Sequence, residues 1–155
     1  FNTVIDVDVD AYIPPSYIVN EVQKLDIYKR IAGIEDEREC EDMREELLDR
    51  FGEIPKSAEN LLRIALIRSH AHRLYMPEVK GKNEMIRFIL RMDAPIRVEN
   101  IPTLIWAYDG KMKFDPKGTP TFSLRYKKCG VIEKDEELLL ALTEGALAKM
   151  EELFL

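Results

Sequence analysis

The chain has 155 residues, 46% of them hydrophobic and 34% charged, with two cysteines and a formal net charge of −6. That length suits one domain with a real hydrophobic core, and no apolar run approaches the roughly 18 residues of a membrane span, so a membrane protein or a disordered tail is excluded as the expectation. Cys40 and Cys129 form neither a CxxC nor a framework of pairs, which fits a reducing, cytoplasmic setting. The chain opens at Phe1 with no initiator Met and no signal-peptide pattern, and so reads as a single domain, 1–155, cut from a larger protein.

In chain order, Ile5, Val7 and Val9 alternate with Asp6, Asp8 and Asp10, the period of a half-buried strand, which Pro14-Pro15 stops. From about Asn20 to Ala32 the residues Val22, Leu25, Tyr28 and Ala32 recur at helical spacing, with Asn20 and Gln23 placed as N-cap and N3 and Gly33 as the stop. A second helix is predicted from about Asp36 to Phe51, with Cys40, Met43, Leu47 and Phe51 in one stripe and Gly52 ending it. Asp42, Glu46, Asp49 and Arg50 then share an outward sector. Pro55 and Ser57 open a third helix, running through Leu61, Leu62, Ala65 and Leu66 to about Leu74.

The second half changes period. Ile86, Phe88, Leu90 and Met92 fall on one side of a strand and Arg87 and Arg91 on the other, and a turn at Gly81-Lys82-Asn83 would pair it with residues 78–81. Pro102 sits in the first turn of a short helix carrying Leu104, Ile105 and Trp106. Two strands follow around Pro116-Lys117-Gly118, and a last helix carries Leu139, Leu142, Ala146, Met150 and Leu153 with Asp135 as N-cap. The expected class is α+β: an N-terminal strand and helical half, then a small antiparallel sheet and a C-terminal helix.

Catalytic patterns are lacking. The seven glycines are scattered, which leaves no phosphate-binding loop, and no serine lies in a G-x-S-x-G setting. His70 and His72 are two apart, so on a helix they point about 200° apart and cannot share a metal. Asp6, Asp8 and Asp10 lack the glycine and closing glutamate of a calcium loop, and a solvated strand face explains them better. Charge is the informative feature. Residues 35–50 carry nine acidic side chains against three arginines, and residues 111–134 carry seven basic against two acidic. In the basic stretch Phe114, Phe122 and Tyr126 interleave with Lys113, Arg125 and Lys127, as on a single-strand-binding surface, although sheet alternation produces the same pattern unaided. In the acidic stretch Glu46, Asp49 and Arg50 place both signs at i, i+3 and i+4 beside an aromatic at a helix end, an arrangement that specifies a partner more than it adds affinity.

The run "IDVDVDAYIPPSYI", followed by "VQKLDIYKRIAGIEDERECEDMREELLDRFGEIPKSAENLLRIALIR", resembles the C-terminal domain of the bacterial transcription-repair coupling factors, the Mfd family. The family's A-x-I-P-x-x-Y-I, Y-K-R-I-A and E-L-x-D-R-F-G-x-x-P patterns match in order at Ala11 to Ile18, Tyr28 to Ala32 and Glu46 to Pro55. Lys24 and Val19 replace a usual Arg and Pro, and residues 4 to 74 carry the resemblance. What it implies is a non-catalytic regulatory domain with no cofactor of its own, within a parent that is an ATP- and Mg-dependent translocase on double-stranded DNA. That parent displaces stalled RNA polymerase and recruits excision repair through UvrA. The resemblance further implies that this domain docks on the parent's own UvrB-like N-terminal module through Glu46, Asp49 and Arg50, with Asp42 in support, and so masks the UvrA surface. The alternative is a nucleic-acid-binding accessory domain using Lys111, Lys113, Arg125, Lys127 and Lys128.

Overall fold

The computed structural model describes residues Phe1 to Leu155. Its elements run β1 (Val4–Val7), α1 (Glu21–Ala32), α2 (Glu37–Phe51), α3 (Lys56–Arg73), β2 (Glu78–Lys82), β3 (Met85–Ile89), α4 (Ile101–Trp106), β4 (Met112–Asp115), β5 (Thr121–Arg125) and α5 (Ile132–Met150). This is the α+β order expected from the sequence. The chain divides into two compact units, Val9–His70 and Phe1–Asp8 with Ala71–Leu155.

In the unit Val9–His70 the predicted N-cap of α1 is made, the Gln23 N–H donating to Asn20 Oδ1 at 2.9 Å, and α2 is capped likewise by Asp36, whose Oδ1 accepts the Glu39 N–H at 2.8 Å. Cys40, Met43 and Leu47 are buried as the α2 stripe requires, in a core with Ile13, Ile18, Ile27, Ile31, Ile34 and Leu62. On α1 the expected stripe is wrong. Ile27 and Ile31 are buried, whereas Val22 and Leu25 are 79% and 56% exposed and Ala32 is exposed as well. The helix carries two apolar rows about 135° apart; the row of Ile27 and Ile31, one turn apart and bordered by half-buried Lys24 and Tyr28, is the one that packs. The Ile13 N–H donates to Tyr28 Oη at 2.8 Å, which fixes that side of α1 inward.

In the other unit the five strands form one sheet in the order β1-β2-β3-β5-β4, with every pair antiparallel except β1 with β2. The predicted first strand is shorter than its alternation suggests: its pairing with β2 runs from Val4–Glu78 to Val7–Gly81, ends with the Asp8 N–H on the Gly81 carbonyl at 3.0 Å, and β2 turns into β3 after Lys82. The predicted turn at Gly81-Lys82-Asn83 is corrected too. The strands close through Asn83 and Glu84, both with positive φ (55° and 61°), as a two-residue hairpin turn demands. Gly81 lies inside β2, where a Cβ would come within 2.8 Å of Leu139 Cδ1 on α5 and 3.1 Å of Val7 Cγ1.

Val79, Ile86, Phe88, Met112, Phe122 and Leu124 are buried on the face that meets this helix. Met92, expected on the same face, is 80% exposed, since β3 ends at Ile89 and the alternation ends soon after. α5 begins at Ile132, three residues before the expected cap. Asp135 instead reaches back, its carboxylate accepting the N–H groups of Cys129 and Gly130 at 2.8 and 3.0 Å, which hold it below the usual carboxylate range.

The close approach at Gly81 predicts that Gly81→Val, which pushes a branched side chain against Leu139 and Val7, destabilises the chain by about 1–3 kcal/mol in urea denaturation. A neutral effect would mean that β2 and α5 are less closely packed than this.

A candidate docking site at the end of the second helix

The last turn of α2 is held by three kinds of contact. Gly52, at φ 87°, ends the helix. The Tyr17 hydroxyl, shared between the Leu47 carbonyl at 3.1 Å and the Gly52 carbonyl at 2.8 Å, ties the segment before α1 to this helix end. Tyr17 also meets the ring of Phe51, centroids 5.8 Å apart, and the Arg50 guanidinium lies over that ring at 4.9 Å.

Glu46 is the electrostatic centre. Arg30 on α1 grips it with two parallel bonds of 2.6 Å, and Arg50, one turn further along α2, donates to it at 2.8 Å. These two arginines hold the Glu46 carboxyl at about 2, well below its ordinary 4.5. The expected group of Glu46, Asp49 and Arg50 is therefore assembled unequally: Glu46 and Arg50 are joined to each other, and Asp49 stands apart. Asp42 and Asp49 are exposed and neither carboxylate is paired within the chain. Exposed beside them is Leu48, an apolar side chain that the charge pattern did not single out. Nor did the sequence single out Arg30 as a partner, because it lies 16 residues from Glu46 and only the packing of α1 on α2 unites them. Further along α2, Arg44 binds Glu59 of α3 at 2.6 Å and also Glu41.

The basic candidates are placed differently. Lys113 stands opposite Ser123 in the β4–β5 pairing, and the Arg125 N–H bonds the Lys111 carbonyl at 2.9 Å. Lys127 and Lys128 follow β5 and are exposed. Phe122 is buried and Phe114 half-buried, their centroids 4.5 Å apart, so the interleaved phenylalanines face the interior.

No group of three or more His, Cys, Asp or Glu side chains is placed to hold a metal. His72 stacks on Phe1 at 4.4 Å with Nδ1 3.1 Å from Thr3 Oγ1, and Asp6 pairs with Lys82 at 3.1 Å. Cys40 is buried, which pushes its thiol up and away from nucleophilic use. An open groove beside α4, lined by Ile101, Pro102, Ile105 and an 88% exposed Trp106, offers Asp109 as its one titratable group. No helix is long and apolar enough to cross a membrane.

Residues 7–101 match the TRCF domain family. The transcription-repair-coupling factor of Bacillus subtilis is 33% identical over 99 residues, 64% of this chain and 8% of that protein. That of Staphylococcus epidermidis is 37% identical over 86 residues, 56% of this chain and 7% of that protein. The chain thus spans less than a tenth of the length of these curated relatives. A crystal structure of the C-terminal domain of transcription-repair coupling factor superimposes with a TM-score of 0.77 at 26% identity, covering 97% of this chain and 94% of that one. The chain belongs to the TRCF domain family, as the C-terminal domain of a bacterial transcription-repair coupling factor.

Proposed function

We propose that this domain is a non-catalytic, autoinhibitory latch within its parent. It docks through the end of α2 on the parent's UvrB-like N-terminal module and covers the surface that UvrA uses. The parent works in the bacterial cytoplasm as an ATP- and Mg-dependent translocase on double-stranded DNA. The latch opens when the motor engages DNA and stalled RNA polymerase, and repair is then recruited through UvrA.

The observation that carries this reading is the state of Asp49. It is an exposed, unpaired carboxylate in the last turn of α2, where the negative end of the helix disfavours an anion, so nothing in the folded chain rewards it. A basic partner surface would. Glu46 has a different part in the same latch. By clasping Arg30 and Arg50 it fixes the guanidinium of Arg50 over Phe51 and leaves Asp49, Asp42 and Leu48 as the outward contact. Exposed ion pairs contribute only roughly 0–1 kcal/mol each, and a tethered contact of that strength holds while remaining easy to release.

Calorimetric titration of the chain against the separately expressed UvrB-like module tests this. Asp49→Lys, folded by circular dichroism, should bind at least about tenfold more weakly, a change of about 1.4 kcal/mol. A folded variant that binds like the native chain sinks the latch.

The clasp has its own acid signature. Because the Glu46 carboxyl is depressed from 4.5 to about 2, its stabilisation is fully present above about pH 4.5 and is lost as pH falls through about 2. Glu46→Gln should cost up to about 1 kcal/mol in urea denaturation at neutral pH, as expected for a part-exposed pair. The difference from the native chain should vanish on acidification through that range, and a difference that ignores pH would show that the clasp is not ionic.

A further inference from the structure

The sheet has a face that the latch does not use. In register, Asp6, Lys80, Arg87, Ser123 and Lys113 form one row across all five strands, and Lys82, Met85 and Arg125 form the next, which Lys111 extends. Lys80, Lys82, Arg87, Lys111, Lys113 and Arg125 are all exposed. Of the six only Lys82 is paired, with Asp6 at 3.1 Å. Lys80 and Arg87 stand directly opposite each other on neighbouring antiparallel strands, an arrangement of like charges that weakens a sheet. The acidic residues Glu78 and Asp115 lie one row further along, at the far end of the face.

We propose that this open face binds the phosphate backbone of double-stranded DNA without reading its sequence. From Lys80 to Lys113 the row crosses three strand spacings, about 14 Å. One strand of B-DNA carries about four phosphates over that length. The face has no exposed aromatic on which an unpaired base would stack, since Phe88, Phe114 and Phe122 all point to the opposite side, and a duplex therefore suits it better than a single strand. A protein partner suits it less, because protein interfaces are depleted of charge at their centre and this face has its cations there. The surface differs from the run of basic residues in the sequence: Lys80, Lys82 and Arg87 join it from the hairpin, and Lys127 and Lys128 lie beyond the paired strand.

The test is fluorescence anisotropy of the whole 155-residue chain with a labelled mixed-sequence duplex, from about 50 to about 200 mM salt, with polyglutamate as a second ligand. Four phosphate contacts predict a slope of log affinity against log salt of about −3 to −4, which is about a hundredfold weakening across that range. Arg87→Glu should weaken binding while raising the melting temperature, because Arg87 stands between Lys80 and the neutral Ser123 and the change turns a like-charge pair into an opposite one; a gain in stability with a loss of binding cannot come from misfolding. The combined reversal of Lys80, Arg87 and Lys113 should abolish binding, and Lys127→Glu with Lys128→Glu should leave it within about twofold. If the triple variant fails to fold, Lys80→Ala and Lys113→Ala replace it, each lowering the salt slope by about one. The proposal is overturned by no binding at the lowest salt, by binding that survives loss of the three cations, or by polyglutamate binding as tightly as the duplex, which would assign the face to an acidic protein. None of these outcomes bears on the latch, whose titration uses a different ligand and a different helix.

Discussion

Asn83 and Glu84 close β2 onto β3 in two residues, and that turn leaves a single register in which the sheet can pair. A slip of one residue would send Ile86 and Phe88 to solvent and bury Arg87, because side chains alternate with a period of two. The register then passes from strand to strand: β3 aligns β5, β5 aligns β4, and β2 aligns β1. Gly81 fixes the depth of packing as the turn fixes the register, since α5 approaches β2 so closely there that Leu139 occupies the space of a side chain. The buried face and the basic face are thus two consequences of one turn.

The end of α2 separates what is fixed from what is offered. The Gly52 N–H on the Leu48 carbonyl and the Tyr17 hydroxyl on the Leu47 and Gly52 carbonyls hold the helix end with neutral hydrogen bonds, so it does not rely on charge alone to stay formed. Glu46 spends its charge on two arginines of its own chain. What stays unspent is Asp49 and Asp42, on a scaffold that needs no rearrangement to present them, and preorganisation of this kind lowers the ordering cost of a weak contact.

Local signals were legible in the sequence where they decide the outcome locally. The cap at Asn20, the α2 stripe, the alternation of β3 from Ile86 to Leu90 and the stop at Gly52 each depend on residues a few positions apart, and each forms as read. The misreadings share a cause. Val22 and Leu25 make as good a helical row as Ile27 and Ile31, and only the neighbours of α1 choose between them. Gly81 has the composition of a turn and the position of a strand because of a leucine 58 residues away. Neither the parallel pairing of Val4 with Glu78 nor the grip of Arg30 on Glu46 leaves a trace at short range. The docking residues rest on the resemblance for their role, and the structure adds to them an inequality that spacing on a helix does not express.

Net charge is a poor guide here for the same reason. Counting along residues 111–134 includes Lys117, Lys127, Lys128 and Lys134, none of which lies in a paired strand, and omits Lys80, Lys82 and Arg87, which the hairpin carries onto the same face as Lys113. A chain at −6 can present a local field of the opposite sign, because a ligand within a Debye length of about 8–10 Å responds to the nearest charges first. Asp49 at the negative end of a helix and Lys80 opposite Arg87 are placed against the electrostatics of the fold that holds them. Folding alone favours neither arrangement, and a sequence under no further demand would lose both by single substitutions that stabilise it. The charges each setting calls for are opposite: a cationic surface for α2, an anionic one for the sheet.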